Sequence, residues 1–269
     1  MNLFWLTDIH LNFIDVEERA EFYHAIVKTC CDAVLISGDI AEAPSIEEAL
    51  KEMVNHIKKP IYFVLGNHDY YRGQIDEVRR IMCSLTKSEK LLYWLPVAGT
   101  QVLTDDTVLI GQDGWADGRY GDYANSRVAL NDSRLIADLF QTRSLGRGQL
   151  LEKMQQLADA EAKNLRDDLI DSINHYHPKK IIVLTHVPPF KEACWYHGEV
   201  NDSDYLPFFS SKATGDVLAE IAKANPKIEL LVLCGHTHNE ACYKPLDNLI
   251  IQVGKADYCS LEIQKIINV

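Results

Sequence analysis

The chain has 269 residues, enough for one large α/β domain or at most two small ones, with a core that needs no disulfide or metal staples. Hydrophobic residues are 47% and charged ones 25%, an ordinary globular balance, and no apolar run approaches the ~20 residues that a membrane helix needs. The formal net charge of -12 disfavours broad binding to nucleic acid, which relies on Lys and Arg against phosphates; it still allows a phosphorylated substrate, because bound divalent cations reverse the local sign.

The N-terminus lacks a basic region, and Asp8 and His10 interrupt its apolar start, so it does not read as a signal peptide. The seven cysteines are odd in number and include no Cys-x-x-Cys pair. They read as reduced, mostly buried thiols in a reducing compartment, and the expected location is cytoplasmic.

In chain order, Leu3–Leu6 is a short apolar run that ends in Asp8-Ile9-His10. The spacing of Ala20, Tyr23, Ile26, Val27 and Cys30 predicts a helix within Val16–Cys31. Ala33–Ile36 is the next strand, ending in Ser37-Gly38-Asp39 with Glu42 three residues on. Ser45 is a helix N-cap, Glu47 and Glu48 suit the first turn, and Pro60 ends that helix after about Lys58. Ile61–Leu65 has five apolar residues in a row, as strands buried on both faces do. It stops at Gly66 and delivers Asn67, His68 and Asp69. Strand–helix–strand–helix–strand implies parallel pairing with right-handed crossovers.

Gln74–Lys87 reads as a further helix. Leu91–Trp94, Thr100–Leu103 and Val108–Gly111 then read as a meander of short strands. Asp113–Tyr123, rich in Gly, Asp and aromatic residues, is a long loop of the kind that carries function. Asn131–Phe140 and Gln149–Tyr176 are helical, the second a single long helix lying across the sheet. Ile181–Leu184 ends in Thr185-His186, and Leu230–Leu233 ends in Cys234-Gly235-His236-Thr237-His238. A loop over Pro188–Ser211 and a helix over Thr214–Ala224 separate them. Leu249–Gly254 and Tyr258–Ile266 read as closing strands. With no repeat, linker or low-complexity segment, residues 1–269 are expected to form a single domain, with a helical and loop insertion at about 113–178.

Five apolar runs thus finish in His, Asp or Asn. Ligands of open α/β sheets bind beyond the carboxyl ends of the strands, so all five deliver chemistry to one place. Of the ten His residues, His10, His68, His186, His236 and His238 sit at strand ends. His24, His56, His175 and His177 lie on amphipathic helices, where surface or capping roles are expected, and His197 sits in a loop.

On these residues the chain resembles the calcineurin-like metallophosphoesterases. That family's blocks D-x-H, G-D-x-x-[DE], G-N-H-[DE], H and G-H-x-H match Asp8/His10, Gly38-Asp39…Glu42, Gly66–Asp69, His186 and Gly235–His238. The resemblance implies a four-layer α-β-β-α sandwich of two mixed β-sheets flanked by helices. It implies one metal on Asp8, His10, Asp39 and His238, and another on Asp39, Asn67, His186 and His236, with Asp39 bridging. The donor mix itself suits Mn, Fe or Zn better than Ca or Mg.

The expected activity is a dinuclear-metal hydrolase of phosphate esters, phosphatase or phosphodiesterase, in which a metal-bridging hydroxide attacks phosphorus directly. His68 is expected to be the general acid, oriented by Asp69. Asn67, Tyr71, Arg72, Arg119 and His197 are candidate substrate contacts, with Asp113–Tyr123 and Trp195–Phe209 as pocket walls. The expected partner is a small phosphorylated or nucleotide-like substrate, with no membrane. Two alternatives stand beside this reading. A nuclease of the same superfamily would need the Lys/Arg stripe that the chain lacks, and a metal-poor, non-catalytic protein-binding scaffold would lack ligands that are present here.

Overall fold

The computed structural model describes residues 1–196 and 198–269, so the candidate substrate contact His197 lies outside the described residues. Its first part alternates strand and helix: β1 (Asn2–Leu6), α1 (Val16–Lys28), β2 (Ala33–Ser37), α2 (Ile46–Ile57), β3 (Ile61–Val64), α3 (Ile75–Ser88) and β4 (Leu92–Trp94). Then come α4 (Leu95–Ala98), β5 (Gln101–Thr104), β6 (Thr107–Gly111), α5 (Asp132–Leu135), α6 (Ala137–Leu145), α7 (Arg147–Tyr176) and β7 (Lys180–Leu184). The chain continues through β8 (Trp195–Tyr196), β9 (Glu199–Val200), α8 (Leu206–Phe209), α9 (Lys212–Ala224), β10 (Glu229–Cys234), β11 (Ala241–Leu246), β12 (Leu249–Val253) and β13 (Lys265–Asn268).

These strands make two large mixed sheets. One runs β13-β1-β2-β3-β4, parallel except for β13; the other runs β11-β12-β10-β7-β6-β5, parallel through its middle with antiparallel strands at both edges. Side-chain alternation explains the layering. Leu3 and Trp5 of β1, Leu35 of β2, Ile182 and Leu184 of β7, and Leu231 and Leu233 of β10 fill the space between the sheets. Phe4, Leu6, Val34 and Ile36 turn the other way, onto Tyr23, Ile26, Leu50, Met53 and Met82 of α1, α2 and α3. On the far side, Ile181, Val183, Leu230 and Val232 pack against Leu165 and Leu169 of α7 and Val217, Leu218 and Ile221 of α9. The result is the α-β-β-α order of layers.

Four sequence expectations need correction. The expected meander is split between the sheets: β4 pairs parallel with β3 across α3, a further βαβ unit, and only β5 and β6 form a hairpin. Leu95, at the start of α4, is buried between the sheets and carries the chain from one to the other. The helix expected over Asn131–Phe140 breaks at Ile136, whose extended backbone (φ -94°, ψ 118°) separates α5 from α6. The expected strand over Tyr258–Ile266 is mostly irregular, with only the end joining β13, while β11 at Ala241–Leu246 was not anticipated. Finally Cys30, Cys242 and Cys259 are exposed, Cys30 lying in the turn that follows α1.

The 30-residue helix α7 does span the molecule. Leu150, Met154 and Ala158 join the core beside α3, whereas Ala162, Leu165 and Leu169 join the core under the second sheet. Among the described residues, no helix is long and apolar enough to cross a membrane.

Candidate metal centre

The carboxyl ends of β1, β2, β3, β7 and β10 meet at one edge of the two sheets, and the loops leaving them are laced together by backbone hydrogen bonds. Asp8 N–H donates to Gly38 O, His10 N–H to Asp39 O, and Gly235 N–H to His186 O, at 2.9–3.0 Å. Asp8, His10, Asp39, His236 and His238 all adopt left-handed backbone, with φ between 40° and 71°. Non-glycine residues take that region at a cost that surrounding structure must offset, and such residues cluster at functional sites. Two glycines make the close approach possible. A Cβ on Gly66 would strike the Asp39 carboxylate and the His186 ring, and one on Gly235 would strike Asp8 and Thr7.

Asp8, His10, Asp39 and His238 each aim one ligand atom at a common point, all four atoms lying within 4.8 Å of one another. His10 and His238 face each other through Nε2 at 3.2 Å, and His238 Nε2 is 3.4 Å from Asp8 Oδ1. Beside this quartet, Asn67 Oδ1 lies 3.0 Å from His186 Nε2 and 2.9 Å from His236 Nδ1, and His186 Nε2 lies 3.3 Å from Asp39 Oδ2. Asp39 is common to both groups.

Hydrogen-bond bookkeeping tests whether cations fit. Both N–H bonds of the Asn67 amide are committed, to Asp132 Oδ1 at 2.8 Å and to the Tyr71 hydroxyl at 3.1 Å, so Oδ1 must face inward. His236 Nε2 donates to Phe208 O at 2.9 Å. Its pKa is lowered by burial and then by neighbouring His186, so the ring is neutral and Nδ1 carries a lone pair. Nδ1 and Asn67 Oδ1 are therefore two acceptors 2.9 Å apart, as two ligand atoms on a shared cation would be. His186 Nδ1 donates to Ser37 O at 2.9 Å, orienting Nε2 in the same way. The residues thus fit divalent metal.

Electrostatics agree. Burial drives His10 down to about 4, against the pull of Asp39 and Asp8, leaving a neutral imidazole suited to ligation. Burial also acts against a charged His186, but Asp39, its hydrogen bond and Asp8 outweigh it and raise the ring to about 10. His186 therefore keeps a proton against Asp39 and Asn67 at the point where a cation would replace it, and metal binding there releases a proton. Burial pushes Asp8 and Asp39 up, yet the bond from His238 to Asp8 and the charge of His186 beside Asp39 leave both below the usual carboxylate value.

The remaining candidates separate. His68 lies at the rim of this cluster, its ring stacked on Tyr71 at 4.2 Å and edge-on to His10 at 4.5 Å, and lines a pocket of about 310 Å³. Asp69 does not orient it. Its carboxylate accepts from the N–H groups of Ile40, Ala41 and Gly66 at 2.8–2.9 Å, while His68 Nδ1 is buried without a partner. Asp69 pins the β2 and β3 loops together instead. Asn67 has no spare N–H for a phosphate oxygen, and its Oδ1 faces the His186 and His236 rings. Arg72 points outward, 66% exposed, and pairs with Glu42 at 3.2 Å. Arg119 pairs with Asp117 and Asp159 beside Lys163 and Arg166, in a separate groove. The Asp113–Tyr123 loop hydrogen-bonds to the 203–210 segment and does not line the pocket, whereas Leu130, Asn131, Tyr196 and Phe209 do.

Sequence reasoning missed three contributors. Asp132 fixes the Asn67 amide and the Tyr71 hydroxyl. Tyr258 lies over His10 and His238, ring centres 4.8 and 5.0 Å apart. Asp113, at the end of β6, accepts from Leu65 N and Trp94 Nε1 through Oδ1 and from the Tyr70 hydroxyl through Oδ2, while its own carbonyl receives His186 N–H. Asp113 stands just past β6 and Asp132 at the first residue of α5, positions that do not say what either side chain touches.

A family model described as calcineurin-like phosphoesterase matches residues 1–240. No curated protein matches the sequence. Among solved structures, the phosphopantetheinyl hydrolase of Mycobacterium tuberculosis superposes with a TM-score of 0.69 at 12% identity, over 96% of this chain and 90% of that one. A dimetal phosphatase from Danio rerio gives 0.57 at 9% identity, over 95% and 87%. A Thermus thermophilus protein gives 0.54 at 12% identity, over 99% and 96%. At such identities the likeness is one of fold.

Proposed function

The chain belongs to the calcineurin-like phosphoesterase family, and on that premise we propose that it is a dinuclear-metal-dependent hydrolase of small phosphate esters. The observation that carries the proposal is the opposed pair of acceptors, His236 Nδ1 and Asn67 Oδ1, beside the Asp8–His10–Asp39–His238 quartet. Asp8, His10, Asp39 and His238 would hold one ion; Asp39, Asn67, His186 and His236 would hold the other. Mn, Fe or Zn suits these donors. Bound there, such ions supply Lewis acidity toward phosphoryl oxygens and lower the pKa of a water.

The chain's own residues do the rest. The left-handed backbone at Asp8, Asp39, His236 and His238 presents the ligand atoms before any ion arrives. Ser37 O and Phe208 O fix which nitrogen His186 and His236 turn inward. The leaving oxygen takes its proton from the His68 ring, held between Tyr71 and His10 rather than by a carboxylate. The acidic balance of the chain supports a small ester over duplex nucleic acid.

The test is hydrolysis of bis-p-nitrophenyl phosphate and p-nitrophenyl phosphate by metal-stripped protein given Mn, Fe(II), Zn or Mg, with Asp39→Asn alongside. Metal-dependent cleavage lost in the variant supports the proposal. A protein that takes up no metal, or one that cleaves duplex DNA faster than small esters, refutes it.

A further inference from the structure

We infer that the pocket takes a phosphate ester bearing a planar, uncharged ring system and no second phosphate, and that Tyr258 selects for the ring. This rests on the phosphoesterase reading above. The walls around Asp39, Asn67, His236 and His238 are largely aromatic: Tyr71, Tyr196, Phe209 and Tyr258, with Leu130 and the uncharged Asn131, Thr237 and Asn239 between them. Among the described residues, no Lys or Arg lines it. The two arginines that could have paired a second phosphate are both engaged elsewhere, Arg72 with Glu42 and Arg119 with Asp117 and Asp159. A second phosphate would enter the pocket with no Lys or Arg side chain to replace its water. At about 310 Å³ the pocket is at the small end of those that bury ligands, room for one ring system beyond the phosphoryl group.

Tyr258 is built into position. Its loop is tied at one end by Ala256 N–H to His238 O at 3.3 Å and at the other by Gln264 N–H to Trp5 O at 2.9 Å. Phe13 braces the ring edge-on at 5.5 Å. The ring nevertheless stays 52% exposed, beside two candidate ligand histidines. A tyrosine hydroxyl is neutral near pH 7, so the ring offers a face and no charge. Phe209, 4.9 Å from His236, offers a second aromatic ring in the same pocket. Aromatic faces of this kind stack planar rings without reading their edges.

Adenosine 5′-monophosphate and ribose 5-phosphate share a leaving alkoxide and differ in the base. The metal-loaded protein should prefer the nucleotide in kcat/KM by about 5- to 150-fold, the worth of one base–aromatic stack, and should turn over adenosine 5′-diphosphate more slowly than the monophosphate. Tyr258→Ala should bring the preference close to one through KM, and Tyr258→Phe should keep it. Independently of catalysis, saturation-transfer NMR on metal-stripped protein should show adenosine binding that Tyr258→Ala abolishes. Equal turnover of the two monophosphates, faster turnover of the diphosphate, or a preference that survives Tyr258→Ala would overturn the inference. If no ester of any kind is cleaved, the phosphoesterase reading fails, and the NMR arm still decides the ring site.

Discussion

Asp132 offers the sharpest test of the proposed second ion site, because it touches no candidate ligand atom yet dictates where one points. Its Oδ1 accepts from Asn67 Nδ2 at 2.8 Å and from the Tyr71 hydroxyl at 2.6 Å. Without it, the Asn67 amide can turn its NH₂ toward His186 and His236 and present no oxygen to a cation. A hydrogen bond to a charged group contributes about 1.5–3 kcal/mol, and about 1.4 kcal/mol is a factor of ten in affinity. Outer partners of metal ligands are worth about 10- to 100-fold in metal affinity, and the two ranges agree. Asp132→Ala should therefore weaken one class of metal site by about 10- to 100-fold and leave the class formed by Asp8, His10, Asp39 and His238 nearly unchanged. Asp132→Asn, which keeps an acceptor without the charge, should fall between. Titration of metal-stripped protein with Zn against a chromophoric chelator resolves the two classes, and a melting curve checks that the variants are folded. If a folded Asp132→Ala protein binds both ions with wild-type affinity, Asp132 does not turn Asn67 Oδ1 inward, and the proposed second site is refuted.

Other substitutions separate chemistry from architecture. His68→Ala should lower turnover of esters with poor leaving groups by ~10²–10⁴-fold at unchanged metal content; unchanged turnover would remove His68 as the acid. Asp69→Ala strands three buried N–H groups, those of Ile40, Ala41 and Gly66, and should cost about 3 kcal/mol or more in urea denaturation; a stable variant with lost catalysis would restore the His68–Asp69 pair. Gly66→Ala drives a methyl group into Asp39 and His186 and should reduce both stability and metal uptake, read by melting temperature and metal analysis. The carboxyl of Glu161 is pushed up to about 7 by burial and then by Asp113, against the pull of Arg79. A folded-state pKa above the ordinary 4.5 means that its contribution is fully present below about 4.5 and lost as pH rises through about 7. Glu161→Gln should thus gain on the wild type between about pH 5 and about pH 8 in urea midpoint; a constant difference between the two would refute the assignment.

What was legible in the sequence was whatever lies at a strand end. A buried parallel strand announces itself as an apolar run, and its carboxyl terminus must reach the ligand-binding edge, so Asp8, Asp39, Asn67, His186 and His236 could be grouped although Asp8 and His236 stand 228 positions apart. The partners of those residues were not legible, because nothing periodic marks them. Asp69 follows His68 directly, yet its carboxylate turns to three N–H groups of the loops after β2 and β3; adjacency in sequence says nothing about which of two faces a one-turn 3₁₀ segment gives each side chain. The meander failed for a similar reason. Leu91–Trp94 has the composition of any short strand, and only the burial of Leu95 between the sheets decides that β4 stays in the first while β5 begins the second. Asp132 and Tyr258 lie in irregular segments, where position is set by long-range hydrogen bonds such as Gln264 N–H to Trp5 O rather than by local propensity. Which residues meet at this edge is thus written in local pattern, but how they are oriented is written in tertiary contacts. Substitutions at Asp132 and Tyr258 therefore probe what the five strand-end motifs leave undetermined.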